Sequence, residues 1–552
     1  MNRILRFAAV LAVLSAGVVY AQAQNQTALT QPVTVSSQVK SLGLFKNGVV
    51  VVEEEIAVPR SGQYAFFQVP MAIHGTFFIE SAAKVETRIS QMPVSAPLSS
   101  NQELDYQKDL AGKTVTVYFN QPGKESVTGV VASLKSSSDT PQNASVVSDL
   151  FSSYSSRYSS LAQGEKASSR LILNCGTGQT ILERSTIARI DVKEALNAVE
   201  RMQSVMTFTV TTEKPASIRL FYLTKGVSWM PSYRIDTTDS QRLKIEQTAV
   251  IINQWKTFHN AEISLISGFP KIECENVFAP FSPGNSLNSF FQQLSNRNEP
   301  RGNRYMSQQI AYNSNSVMPM DDIDSSPAVS GEGPDIHFQK IGLRSMNKGD
   351  CLSISTGANE ADYQRVVEWT IPDQRDAWGR YNRDSNRENK SADSEPWDML
   401  RFRNPLPFPM TTAPASILAD GKFYGQNSSF WASEGEMTKI PVTKSMSVRV
   451  KSAEFEQNES QQPQYVNING NRYRKAVVNV ELTVVNRRAE SIKMVVNRRF
   501  SGDLIQTVEG AKTVALGDDL SYINRKREIQ WNFDLPSGET KILKYSYSTL
   551  IR

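Results

Sequence analysis

The sequence predicts a mainly β protein: several small β domains, including a β-sandwich and a small β-barrel, with long polar loop insertions and little helix. Three observations carry that expectation. Short runs of alternating or β-branched apolar residues recur, as at 49–52, 114–119 and 476–485. Turn chemistry separates them, as in Asn47-Gly48, Pro59-Arg60-Ser61-Gly62 and Pro122-Gly123. A persuasive helical stripe occurs only once, over 191–203.

Taken in order, the chain opens with Arg3 and Arg6 ahead of an apolar run at 7–19. That is the pattern of a signal peptide over 1–23, and the run is too short to span a bilayer. Small residues place cleavage before Gln22 or Gln24. No later stretch of 18 apolar residues exists, so the mature chain is expected to be exported without an integral membrane segment. Its compartment would be periplasmic, cell-surface-associated or extracellular. Residues 38–92 form a first β domain, with a hairpin turning at Asn47-Gly48. Residues 109–193 hold five strand patterns around a Ser-rich stretch at 136–170, which suits a small barrel with one extended loop. The helix follows: Asp191 with Glu194 makes a cap, and Val192, Ala195, Leu196, Val199 and Met202 line one face. From 208 to 552 strand patterns dominate, interrupted by a polar, mobile insertion at 276–330 and closing in a sandwich-type β section at 476–552.

The composition narrows the function. With 552 residues the prior is two to four domains. A net charge of +5 is small over that length and supplies no concentrated basic surface, so nucleic acid is not an expected partner. Cys175, Cys274 and Cys351 are far apart in sequence, without the close spacing of a zinc or redox pair; one long-range disulfide and three buried thiols both remain open. His74, His259 and His337 lack H-E-x-x-H spacing, and no nucleophile elbow or phosphate-cradling loop is present. Met318-Pro319-Met320 alone makes a poor copper site. No catalytic residue, metal or cofactor is expected.

Ordered motifs from Tyr222 onward carry a resemblance. Y-L-T-K-G-V-S-W-M-P-S-Y at 222–233 is followed by Asn253, Trp255, Asn260, Lys348-Gly349-Asp350, Arg403-Asn404, Pro409-Met410-Thr411-Thr412-Ala413-Pro414, Asn486 and Pro536-Ser537-Gly538-Glu539. This resembles the secreted mucoidy inhibitor A-like proteins, with a DUF4139 main domain over about 208–552 and a DUF4140-like domain over 38–92. Many relatives place a long coiled coil between the two, where this chain has its small β domain. The resemblance implies a cell-envelope setting and supplies no reaction, cofactor or catalytic residue.

The candidate binding or signature residues are therefore Trp229, Pro231, Tyr233, Trp255, Asn260, Asn404, Thr411 and Thr412. Trp229, Pro231 and Tyr233 read as rings packed on a sheet beside a proline that limits pairing, and a carbohydrate platform would use the same rings if exposed. Asn260 and Asn404 adjoin turns or prolines, where amides satisfy backbone groups. Two function classes follow. One is a binding or assembly protein engaging an envelope protein or glycan through β surfaces and loops. The other is an envelope carbohydrate- or peptide-directed hydrolase, for which Asp362, Glu368 and Asp373 are the nearest carboxylates. An open strand edge would favour the first, and paired carboxylates in a cleft the second.

Overall fold

A computed structural model describes residues 32–98, 104–134, 168–176, 178–268, 270–295, 336–375, 379–380, 395–457, 464–507, 510–516 and 523–552. The expected signal peptide, most of the Ser-rich stretch, and residues 296–330 of the polar insertion lie outside them. Strands β1 (Val33–Val35), β2 (Gln38–Phe45), β3 (Val49–Val58), β4 (Gly62–Phe66), β5 (Phe78–Ser81) and β6 (Lys84–Pro97) come first. A single-turn helix α1 (Tyr106–Asp109) precedes β7 (Thr114–Phe119), β8 (Val127–Val131), β9 (Arg170–Cys175), β10 (Gly178–Glu183), β11 (Ile187–Val192), β12 (Ala198–Thr211) and β13 (Ala216–Lys225). The protein is mostly β, in several sheets, with almost no helix among the described residues.

The chain divides into two compact units, Met1–Gln38 with Glu54–Phe221 and Asn276–Arg297, and Val39–Glu53 with Tyr222–Glu275 and Asn298–Arg552. In the first, one sheet has the order β1-β4-β12-β6. β12 and β6 pair without a break from Ala198↔Pro97 to Thr211↔Lys84, whereas β4 joins only Met206–Val210. The rest of that pair is a two-stranded ribbon, and the chain between its strands builds a second sheet, β10-β9-β8-β7-β11. Val115, Val117, Leu171 and Leu173 form the core of this second sheet. It is an open five-stranded order; no pairing joins β10 to β11 among the described residues, so a closed barrel is not shown.

The helix expected over 191–203 is not formed. Asp191 and Val192 end β11, and Ala198 onward belongs to β12. Lys193 N–H instead donates to Thr114 O at 3.2 Å, and the continuous ladder to β6 satisfies the backbone that a helix would have satisfied internally. The stripe splits accordingly: Val199 is buried, while Met202 is half exposed. Long-range pairing overrode a local period of 3.6.

The polar insertion also differs from a bare loop over its described part. Helix α2 (Leu287–Ser295) follows a segment that packs on residues 70–77. His74 N–H donates to Val277 O at 2.7 Å and Ala279 N–H to Ala72 O at 2.8 Å. Val277, Ala279 and Phe290 are buried, and the Phe77 and Phe281 rings meet edge to face. The aromatic residues scattered among Asn, Ser and Gln supply the burial that overall polarity concealed.

In the second unit the chain continues as β14 (Val227–Asp236), β15 (Arg242–Asn253), β16 (Phe258–Ser267), β17 (His337–Met346), β18 (Cys351–Ile371), β19 (Trp397–Arg403), β20 (Pro414–Ala419), β21 (Lys422–Ser428) and β22 (Met437–Lys444). β23 (Val448–Glu456), β24 (Tyr465–Ile468), β25 (Asn471–Asn486), β26 (Ile492–Ser501), β27 (Asp503–Thr507), β28 (Ala511–Ala515), β29 (Lys526–Leu535) and β30 (Thr540–Ile551) complete it. β16 pairs in parallel with β2 and antiparallel with β17. The largest sheet runs β21-β20-β14-β15-β18-β26-β29-β28, with β19 and β22 branching from β18. A smaller one runs β23-β25-β30-β27. Trp369, Val496 and Trp531 from the former share one core with Val480, Leu482 and Tyr547 from the latter. All three cysteines are free thiols, with Cys351 exposed. No helix among the described residues is long and apolar enough to cross a membrane.

Candidate functional site

Strand β14 organises the site. Its residues alternate, so Val227, Trp229, Pro231, Tyr233 and Ile235 share the buried face while Met230 and Arg234 are exposed. β15 pairs along its whole length, but β20 joins only from Tyr233 onward. Pro231, which has no N–H to donate, falls just before that second pairing begins. Trp229 is 1% exposed, and its Nε1–H donates to Ile266 O at 3.2 Å. It is a core residue rather than an exposed sugar platform.

Tyr233 extends a chain of hydrogen bonds from this face. Its hydroxyl accepts from Thr411 N–H at 2.8 Å and from Gln247 Nε2 at 2.9 Å. Burial raises its pKa, so the phenol stays neutral. Thr411 Oγ1 accepts in turn from Lys46 Nζ at 3.1 Å, and Thr412 O accepts from the same ammonium at 2.8 Å. Lys46 lies in the β2–β3 turn, whose Asn47 Oδ1 accepts from Val49 N–H at 3.1 Å and whose Gly48 has φ +84°. Ser228 Oγ donates to Lys46 O at 3.1 Å, tying the turn back to β14. Thus Thr411 and Thr412 meet at Lys46, with Tyr233 joined to them through Thr411, and Lys46 is a residue that the sequence alone did not single out. Its only signal was a cation beside an Asn-Gly turn. Burial lowers the Lys46 pKa to about 8.

Trp255 adjoins the same end. Its indole is half-buried, with Lys256 Nζ 4.5 Å from the ring centre. Gly226 has φ +121°, and a Cβ there would come within 3.1 Å of Trp255 Cβ, so the K-G-V-S-W segment needs glycine at that place. Asn260 lies apart from the cluster. It is exposed at φ +48°, in an irregularity of the β16–β17 pairing, and an asparagine tolerates that left-handed backbone better than most residues.

Asn404 is buried and clamps a strand end. Its N–H donates to Glu436 O and its C=O accepts from Gly435 N–H, both at 2.9 Å. Its Nδ2 donates to Phe408 O, Ala432 O and Ser433 O at 3.0–3.2 Å, and Oδ1 accepts from Leu406 N–H at 3.1 Å. The same arrangement recurs twice. Asn253 ends β15 against Gly349 and Asp350, with Nδ2 donating to Lys256 O at 2.8 Å and Asn347 O at 3.0 Å and Oδ1 accepting from Trp255 N–H. Asn486 ends β25 against Gly538 and Glu539, with Nδ2 donating to Glu490 O, Leu535 O and Pro536 O and Oδ1 accepting from Arg488 N–H. In all three the glycine has positive φ, at +97°, +74° and +74°. The sequence signal is an Asn at a strand end answered later by Gly-Asp or Gly-Glu before the returning strand.

The carboxylates considered for hydrolysis do not share an environment. Asp362 is exposed beside Arg242. Glu368 is held by Lys439 Nζ at 3.1 Å to each oxygen, with Asn497 Nδ2 at 3.3 Å. Asp373 accepts from Ser501 Oγ at 2.5 Å and Arg375 N–H at 3.0 Å, and burial raises its pKa. Among the described residues no group of three or more His, Cys, Asp or Glu side chains could hold a metal. Scanned against protein-family models and compared with curated proteins, the chain matches none.

Proposed function

We propose that this chain is an exported cell-envelope protein of the mucoidy inhibitor A-like kind, acting by binding or assembly through its β surfaces. The observation that carries the reading is β17. It ends its sheet with no strand on its far edge among the described residues, and Phe338 and Leu343 on it are 59% and 63% exposed. An unpaired row of backbone donors and acceptors flanked by exposed apolar side chains suits the addition of a strand from an envelope protein. The hydrolase alternative has less support, because Asp362, Glu368 and Asp373 are engaged separately with Arg242, Lys439 and Ser501. A photo-crosslinking residue placed at Phe338 or Leu343 in cells should yield a defined covalent adduct. The same probe at Ile181, exposed on another sheet, should not. Adducts from all three positions, or none from β17, would remove the edge as the binding surface.

A further inference from the structure

We propose that Lys46 is the receptor for a monoanionic carboxylate on a ligand, an extension of the binding reading to a second, chemically defined site. An ammonium carries three donors. At Lys46 two go to neutral oxygens, Thr411 Oγ1 and Thr412 O. Among the described residues no carboxylate lies within ion-pair distance of it. The acidic group bonded to this turn, Glu275, is engaged elsewhere: its Oε1 accepts from Asn47 Nδ2 at 3.3 Å and lies 3.9 Å from Lys225 Nζ. Glu275 thus lies beside Lys225 and Asn47 rather than in an ion pair with Lys46.

A partly buried cation without a counter-charge is costly, and a bound anion offsets that cost most effectively where water is already excluded. The third N–H matches one oxygen of a carboxylate, and the hydroxyls of Thr411 and Ser228 fix the turn that presents it. A carboxylate of this kind occurs on a uronic acid or at a peptide terminus. Because Lys46 releases its proton near pH 8, capture should fade as pH rises through that value. Glu275, which bonds to Asn47 on the turn, and Lys225 beside it are charged groups at the same place, and burial lowers the Lys225 pKa as well.

The test is calorimetric titration of the purified chain at pH 6.5 with sodium D-glucuronate and, separately, sodium N-acetylglycinate. Glucose and inorganic phosphate at matched ionic strength serve as controls. Saturable binding of one carboxylate is expected, with the responding probe identifying a sugar or a peptide source. It should weaken at least tenfold in Lys46→Met and at least tenfold between pH 7 and pH 9.5. Methionine retains the apolar stem, so the variant should fold. As a second measurement, the Lys46 side-chain NMR signal of the unmodified protein should move with the same saturation curve. No binding by either carboxylate, equal binding of phosphate, or undiminished binding by Lys46→Met would each overturn the assignment. These outcomes are independent of whether β17 captures a partner strand.

Discussion

Trp229 and Lys46 are linked through Ser228, and burial acts on them in opposite directions. The indole gains from leaving water, so Trp229→Ala should cost about 3–5 kcal/mol through lost burial and a residual cavity. The unfolding midpoint measures this, and an unchanged melt would contradict the core placement. The ammonium loses from the same burial. In the unfolded chain Lys46 holds its proton up to the ordinary value of 10.5, whereas in the folded chain it releases it near 8. Between those values the unfolded state binds more protons, so stability rises with pH, by up to about 3 kcal/mol for the full shift. The gain should appear as a growing advantage of wild type over its own pH 7 value, relative to Lys46→Met, between pH 7 and pH 10.5. A constant difference between the two proteins across that window would show that Lys46 is not strained by burial. Thr411 and Thr412, singled out from sequence as signature residues, act here through one hydroxyl, one N–H and one carbonyl.

At the scale of elements, three strand corners are built alike, at Asn253, Asn404 and Asn486. Each amide joins a strand end to the Gly-acid turn that starts the returning strand, and each is no more than 2% exposed. Replacing any of them by Ala would leave buried carbonyls and one N–H without partners, at about 2–4 kcal/mol. Equal losses at all three, measured by denaturant unfolding, are the expected result. A loss confined to Asn404 would instead favour a ligand-recognition role there. The corners also show why Asn404 was visible as an important residue but not as a clamp. Its proline and arginine neighbours are local, whereas Ala432 and Ser433 are supplied by a distant stretch of chain. Strand β12 makes the converse point. Its apolar spacing permitted a helix, and only the fourteen-residue ladder with β6 excluded one.

Across the whole molecule, the sequence by itself determined the chemistry of the strands and turns. Alternation along β14 determined that Trp229 and Tyr233 share a face, and the Asn47-Gly48 pair determined a tight turn, because both depend on neighbours within a few residues. The predominance of β structure followed from the same local signals. Tertiary structure alone decided that Lys46 meets Thr411 and Thr412, that β17 ends a sheet, and that the segment around Phe290 is packed rather than loose. It also placed a buried arginine, Arg498, against Tyr545 in a core that hydrophobic patterning would have filled with apolar side chains. Periodicity specifies which face a residue occupies, but a face has no address. The partner across it is set by sheet order and register, which are global properties of the folded chain.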